Sequence, residues 1–230
     1  MRRTAAVFGF AMIFLAITSA IAGGPSADQI LGSLKKGFVG VNDYRAGVSL
    51  TVKGPKVSIN DMRMTLYFKK PNKVHIDTEQ GVAIIPSGSF FGNPANDLAA
   101  GARPVYVRSE RKLGRDCYLL KLTRQNPGPS MPEMMVWIDK QHTVIVAMES
   151  STAAAMKTSW RYKMIDGKYY LPVEITAELR PPEAPNADQP VKATIKFSNY
   201  RVNKGISDKI FEDNRPKKDD GPHFRRRYHK

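Results

Sequence analysis

Four histidines, one cysteine and a scatter of carboxylates are the residues from which chemistry would have to be built. His75, His142, His223 and His229 show no metal-ligand spacing, and the last two fall in a basic C-terminal stretch. Cys117 and a distant histidine form a nucleophile–base pair on paper. However, Cys117-Tyr118-Leu119-Leu120-Lys121-Leu122 reads as a buried strand in which the thiol is a small core hydrophobe. There is no Gly-x-Ser-x-Gly, no phosphate-cradling glycine loop and no His-Glu-x-x-His. A carboxylate pair is left open by the spacing of the acidic residues. The sequence therefore predicts no enzyme and no cofactor.

The more informative residues are apolar. Ten methionines are present, and Met62, Met64, Met134 and Met148 stand at alternating positions of expected strands. Such side chains suit a deformable apolar cavity, or serve as core filler. Trp137 and Trp160 read as core anchors in the same way.

Elements that would position these residues follow from periodicity. Ser26-Ala27-Asp28-Gln29 has the form of a capping box, and Ile30, Leu31, Leu34 and Phe38 recur at helical spacing until Gly40. The period then switches to two. Tyr44, Ala46, Val48, Leu50 and Val52 alternate with polar residues, as do Met62, Met64, Leu66 and Phe68. Val74 and Ile76 follow the Pro71-Asn72 turn, and Val82 to Ile85 predict a further short strand. Asn93-Pro94 begins a short helix to about Ala100. Strands resume at Pro104–Arg108, Cys117–Leu122, Met134–Ile138 and Thr143–Met148, the last two turned by Asp139-Lys140-Gln141. A hairpin joins Lys157–Met164 to Tyr169–Leu179 over Asp166-Gly167, and Val191–Val202 is the last long strand after a proline-rich loop.

About ten short strands with one helix before them and one within predict an α+β, mainly antiparallel β fold. The expected form is a strongly curved sheet, an unclosed barrel covered by helices. Its concave apolar face is too large to leave in water, so the helices are the available lids.

The ends carry a different message. Arg2 and Arg3 precede an uncharged run from Ala5 to Ile17, and Ala20-Ile21-Ala22 is a small-x-small cleavage site. A membrane span needs about 20 apolar residues, and this run is shorter. Residues 1–22 are thus expected to be a signal peptide cleaved near Ala22, residues 23–214 the domain, and the protein periplasmic. Gly23 rather than cysteine follows the cleavage site, so no lipid-attachment cysteine is expected. The net charge is +15, from 36 Lys+Arg against 21 Asp+Glu, and favours negatively charged partners. Export removes nucleic acid from that group and leaves anionic membrane surfaces or acidic proteins. Residues 215–230 hold seven Lys/Arg against two Asp and are expected to be disordered, as a solvated end or a membrane tether.

Several segments carry a resemblance. Leu66-Tyr67-Phe68-Lys69-Lys70-Pro71-Asn72-Lys73-Val74 resembles the strand–turn unit of the LolA/LolB-type outer-membrane lipoprotein carriers. Met135-Val136-Trp137-Ile138-Asp139, Gly167-Lys168-Tyr169-Tyr170-Leu171-Pro172 and Phe197-Ser198-Asn199-Tyr200-Arg201-Val202-Asn203 are similar to the family's later strands. Ile206-Ser207-Asp208 followed by Phe211 is similar to its closing segment. The resemblance implies a helix-covered half-barrel that binds acyl chains of lipidated proteins or lipids, released by movement of a lid. On that reading the lining residues are Met62, Met64, Leu66, Phe68, Val74, Ile76, Met134, Val136, Trp160 and Ile195. The lid comprises Ile30, Leu34 and Phe38 with Lys70. The family's carriers often place arginine where Lys70 stands, and lysine makes no bidentate fork. A periplasmic sensor on the same scaffold, detecting lipidated proteins and signalling to an envelope membrane protein, is the alternative. An envelope hydrolase ranks last.

Overall fold

The computed structural model describes residues 24–37, 39–55, 57–78, 98, 102–124, 133–150, 155–180 and 189–212. Its first element starts with the capping box. The Gln29 N–H donates to Ser26 Oγ (3.2 Å), and the Ser26 N–H donates to Gln29 Oε1 (2.9 Å). Two of the donors that every helix N-terminus leaves unpaired are thereby satisfied. Helix α1 (Ala27–Gly37) follows and buries Ile30, Leu31 and Leu34 on one stripe. The chain reverses at Gly40, whose φ of +88° a side chain would oppose.

Among the described residues, ten strands then build one antiparallel sheet. They are β1 (Asp43–Gly54), β2 (Val57–Lys69), β3 (Lys73–Thr78), β4 (Ala102–Lys112) and β5 (Arg115–Arg124). After these come β6 (Glu133–Asp139), β7 (Ile145–Ser150), β8 (Met156–Ile165), β9 (Tyr169–Leu179) and β10 (Val191–Val202). The order is β3-β2-β1-β10-β9-β8-β7-β6-β5-β4. Two meanders, β1–β3 and β4–β10, are thus joined where the last strand pairs with the first. Among the described residues β3 and β4 are the two edges and do not pair with each other, so the sheet is unclosed. A short helix, α2 (Lys209–Glu212), follows β10 and packs near β3.

Five register shifts interrupt the ladders, between Arg45 and Gly47, Leu50 and Val52, Tyr106 and Arg108, Trp137 and Ile138, and Arg161 and Tyr162. Each adds local twist and bends its strand. Asp61 and Asn199, beside two of these shifts, take the left-handed conformation with φ of +53° and +52°. The bends roll a sheet of this width into a half-barrel.

Most expected strands appear, with extended bounds. Pro104–Arg108 lies inside a strand running from Ala102 to Lys112, and the strand expected from Thr143 begins at Ile145. Thr143 itself is held in the turn by its N–H bond to the Asp139 carbonyl, with φ of +52°. The expected signal peptide, the Val82–Ile85 strand and the basic tail lie outside the described residues, as does Phe38. Of the helix expected from Asn93 to Ala100, Leu98 is described and is helical. Among the described residues no helix is long and apolar enough to cross a membrane.

Candidate functional site

Cross-strand pairing shows which side chains share a face. One row runs Tyr106–Leu120–Val136–Met148–Thr158–Ala177–Ala193–Val52 through eight strands. A second runs Trp160–Ile175–Ile195–Leu50–Met62, and a third joins Met64, Val48 and Phe197. Ile76 pairs with Leu66 and Val74 with Phe68, while Met134 stands two residues from Val136 on the same strand. Because side chains alternate across a strand, all ten residues expected to line the hollow lie on one face.

That face is the inner one. A Cβ on Gly24, just before α1, would meet the Tyr106 ring at 3.5 Å. Ile30, Leu31 and Leu34 join Leu66, Phe68, Val136 and Trp160 in one continuous core. Helix α1 therefore covers the inner face, with two of its expected lid residues, Ile30 and Leu34, pointing into the core. Lys70 is exposed in the β2–β3 turn, where its N–H donates to the Asn42 carbonyl at 2.8 Å.

Aromatic rings fill the inner face toward one end. Tyr44 packs against Phe68 at 5.2 Å and Tyr200 at 5.5 Å, and the buried Tyr162 hydroxyl donates to the Ile145 carbonyl at 2.8 Å. Burial pushes the Tyr44, Tyr162 and Tyr200 phenols well above their ordinary value, so all three stay neutral. The surface offered is apolar and uncharged. It suits hydrocarbon.

The outer face carries paired charges and bonded hydroxyls, with a buried apolar patch around Leu119, Trp137 and Ala147. Arg161 pairs with Glu174 at 2.9 Å, Lys192 with Glu178 at 3.2 Å, and the Ser159 and Thr176 hydroxyls bond each other at 2.6 Å. Trp137 belongs to this side, paired through Leu119 and Ala147. Its indole N–H donates to Glu110 (2.5 Å), and the Lys112 ammonium lies 3.9 Å above the ring. Cys117 shares that face, fully buried, and burial raises its thiol pKa, which suits a packing role and not a nucleophile.

Two polar knots tie the rim at the β1 N-terminus. In the first, Asn203 takes φ of +54° after β10 and reaches across to the start of β1. Its Oδ1 accepts from the Asn42 N–H (2.7 Å), and its Nδ2 donates to the Gly40 carbonyl (2.6 Å) and the Tyr169 hydroxyl (3.0 Å). Asp43 returns the bond by accepting from the Lys204 and Gly205 N–H groups. Nearby, Asp208 pairs with Lys69 (3.1 Å) and Lys73 (2.7 Å), and Lys69 also donates to the Ile206 carbonyl. The strand–turn unit and the closing segment, read separately in the sequence, thus meet.

The second knot escaped sequence reasoning. Asp139, 3% exposed, accepts from Arg115 (2.6 Å) and the Gln141 N–H (2.9 Å), with His142 Nδ1 at 3.1 Å. Burial opposes the carboxylate charge, but the Gln141 N–H, Arg115 and His142 outweigh it and hold the pKa below the usual range. His142 stacks on Tyr170 at 4.1 Å, and together they border an open cleft of about 710 Å³. The available signal was modest: Asp139-Lys140-Gln141 was legible as a turn, but its pairing with Arg115 depends on β5–β6 register.

Residues 87–215 match a family model described as "Uncharacterized protein", which spans more than half of the chain. No curated protein matches the sequence. Three crystal structures are similar in fold. One is a domain from Vibrio parahaemolyticus named as an outer membrane lipoprotein-sorting protein (15% identity, TM-score 0.56, covering 82% of this chain and 97% of that one). Another is a LolA superfamily protein from Nitrosomonas europaea (14% identity, TM-score 0.55, covering 82% and 98%). The third is a DUF1329 family protein from Desulfovibrio piger (13% identity, TM-score 0.54, covering 79% and 94%). An unclosed ten-stranded half-barrel over a helix-covered apolar face, together with these matches, places the chain in the family of that model and gives it the LolA-like fold.

Proposed function

We propose that the protein is a periplasmic carrier or binder of lipoproteins or lipids that holds acyl chains in its apolar hollow without catalysis. The observation that carries this reading is the inner face itself, whose lining runs apolar and uncharged across the sheet from β3 to β5. An acyl chain gains about 0.8 kcal/mol per buried methylene, so about ten methylenes contribute about 8 kcal/mol without any polar contact. Met62, Met64, Met134 and Met148 let the lining adapt to chains of different shape. Helix α1 is the lid: its Ile30 and Leu34 occupy the face an acyl chain would take, so loading displaces them. The names of two fold relatives, one for lipoprotein sorting and one for the LolA superfamily, support the same cargo class.

The test is native mass spectrometry of the protein purified from its own envelope, with lipid extraction alongside. A bound phospholipid or acylated protein is the expected result and identifies the cargo. A protein that comes out empty, rejects acyl probes and retains a membrane-protein partner would replace the carrier with a sensor.

A further inference from the structure

We infer that Thr158 is a polar anchor on the inner face, donating its hydroxyl hydrogen to the ester or amide carbonyl of an acylated ligand. The inference rests on the acyl-binding reading above and refines it from hydrocarbon to a carbonyl-bearing acyl group.

Thr158 sits in the middle of the longest apolar row, with Met148 on one side and Ala177 then Ala193 on the other. It is 4% exposed, and its Oγ1 is, among the described residues, the buried side-chain oxygen or nitrogen without a hydrogen-bond partner. Neighbouring hydroxyls are handled differently. Ser159, one position on and facing outward, bonds Thr176, and Tyr162, further along the same strand, bonds the Ile145 carbonyl. A valine at position 158 would fill nearly the same volume with no unmet bond, so the hydroxyl carries a cost that no described neighbour offsets.

The surroundings define what would meet it. Ala177 and Ala193 end at Cβ, so the row is shallowest directly beside the hydroxyl, while Met148 is a side chain that shifts readily. No residue of this row is charged. A carboxylate brought here would be buried without a cation, whereas a neutral carbonyl accepts one bond and leaves the rest of the chain on apolar neighbours. The fitting group is therefore the ester of a glycerolipid or the ester or amide of an acylated protein, not a free fatty acid.

The experiment compares soluble dihexanoylphosphatidylglycerol with its dihexyl ether analogue by isothermal titration. Wild type, Thr158→Val and Thr158→Ser are titrated with both probes. Wild type is expected to favour the ester about fivefold, the range of one buried hydrogen bond. Thr158→Val should bind both probes alike at the ether's affinity, and Thr158→Ser should restore the preference. A melting temperature for Thr158→Val at or above that of wild type would show that the fold is intact. An ester preference unchanged in Thr158→Val overturns this inference alone. Wild type binding neither probe overturns the acyl-binding reading beneath it.

Discussion

Asp43 and Asp139 are both buried carboxylates at the same rim of the half-barrel, one at the start of β1 and the other at the end of β6. They are satisfied in opposite ways. Asp43 accepts from the backbone N–H groups of Lys204 and Gly205, within a knot whose other member is the neutral Asn203. Asp139 accepts one backbone N–H but relies on Arg115 and His142 for the rest. The first corner is held by amide geometry, the second by charge. A fold of this kind closes one seam largely through backbone and amide hydrogen bonds and ties the other through paired charges.

The largest effect should come from removing the charged corner's centre. Asp139→Ala strands a partly buried guanidinium and frees the Gln141 turn, and is expected to cost about 3 kcal/mol. That figure sits at the low end for a broken buried pair because the Arg115 side chain is 30% exposed. Urea denaturation measures it, and a loss under about 1 kcal/mol would mean that the corner contributes little. Next comes Asn203→Ala, which removes bonds to Asn42, Gly40 and Tyr169 and places alanine at φ of +54°. A loss of about 2 kcal/mol is expected. Since the lost groups are neutral, the same loss in low and high salt is the sharper half of the prediction.

The smallest effect is the most diagnostic. The folded pKa of Asp139 lies below its unfolded value of about 3.9, so its stabilisation is complete above that value. It is lost as the pH falls through the folded pKa, because the unfolded chain takes up the proton first. The stability gap between wild type and Asp139→Asn should therefore shrink below about pH 4. A gap as wide at pH 3 as at pH 6 would contradict the assignment of charge to this corner.

Sequence patterning exposed the inner face more fully than the rim. Alternation in β1 and β2 put Tyr44, Ala46, Val48 and Leu50 opposite Phe68, Leu66, Met64 and Met62, a pairing that follows from a period of two once the hairpin is recognised. The capping box at Ser26 was legible for the same reason, since both partners lie within one turn. Features that escaped depend on long-range register. The shift beside Tyr106 and the pairing of Arg115 with Asp139 arise only when distant strands meet. Asn199 and Asn203 in the left-handed region look like ordinary strand-end residues until the β1–β10 seam forms. Thr158 is hidden in the sequence because it is the middle of the polar run Lys157-Thr158-Ser159, and only its register with Met148 and Ala177 shows that it faces in.

The seam between β1 and β10 also governs time. Its ties reach across 161 positions of chain, from Asn42 to Asn203. The β1–β3 meander has no neighbour on its β1 side until β10 has been synthesised, and contacts so distant in sequence make folding slow. For a chain whose N-terminus reads as an export signal, lateness is useful. On the proposed periplasmic function, such a chain would reach the membrane still threadable, and its last strand would commit it to shape only afterwards.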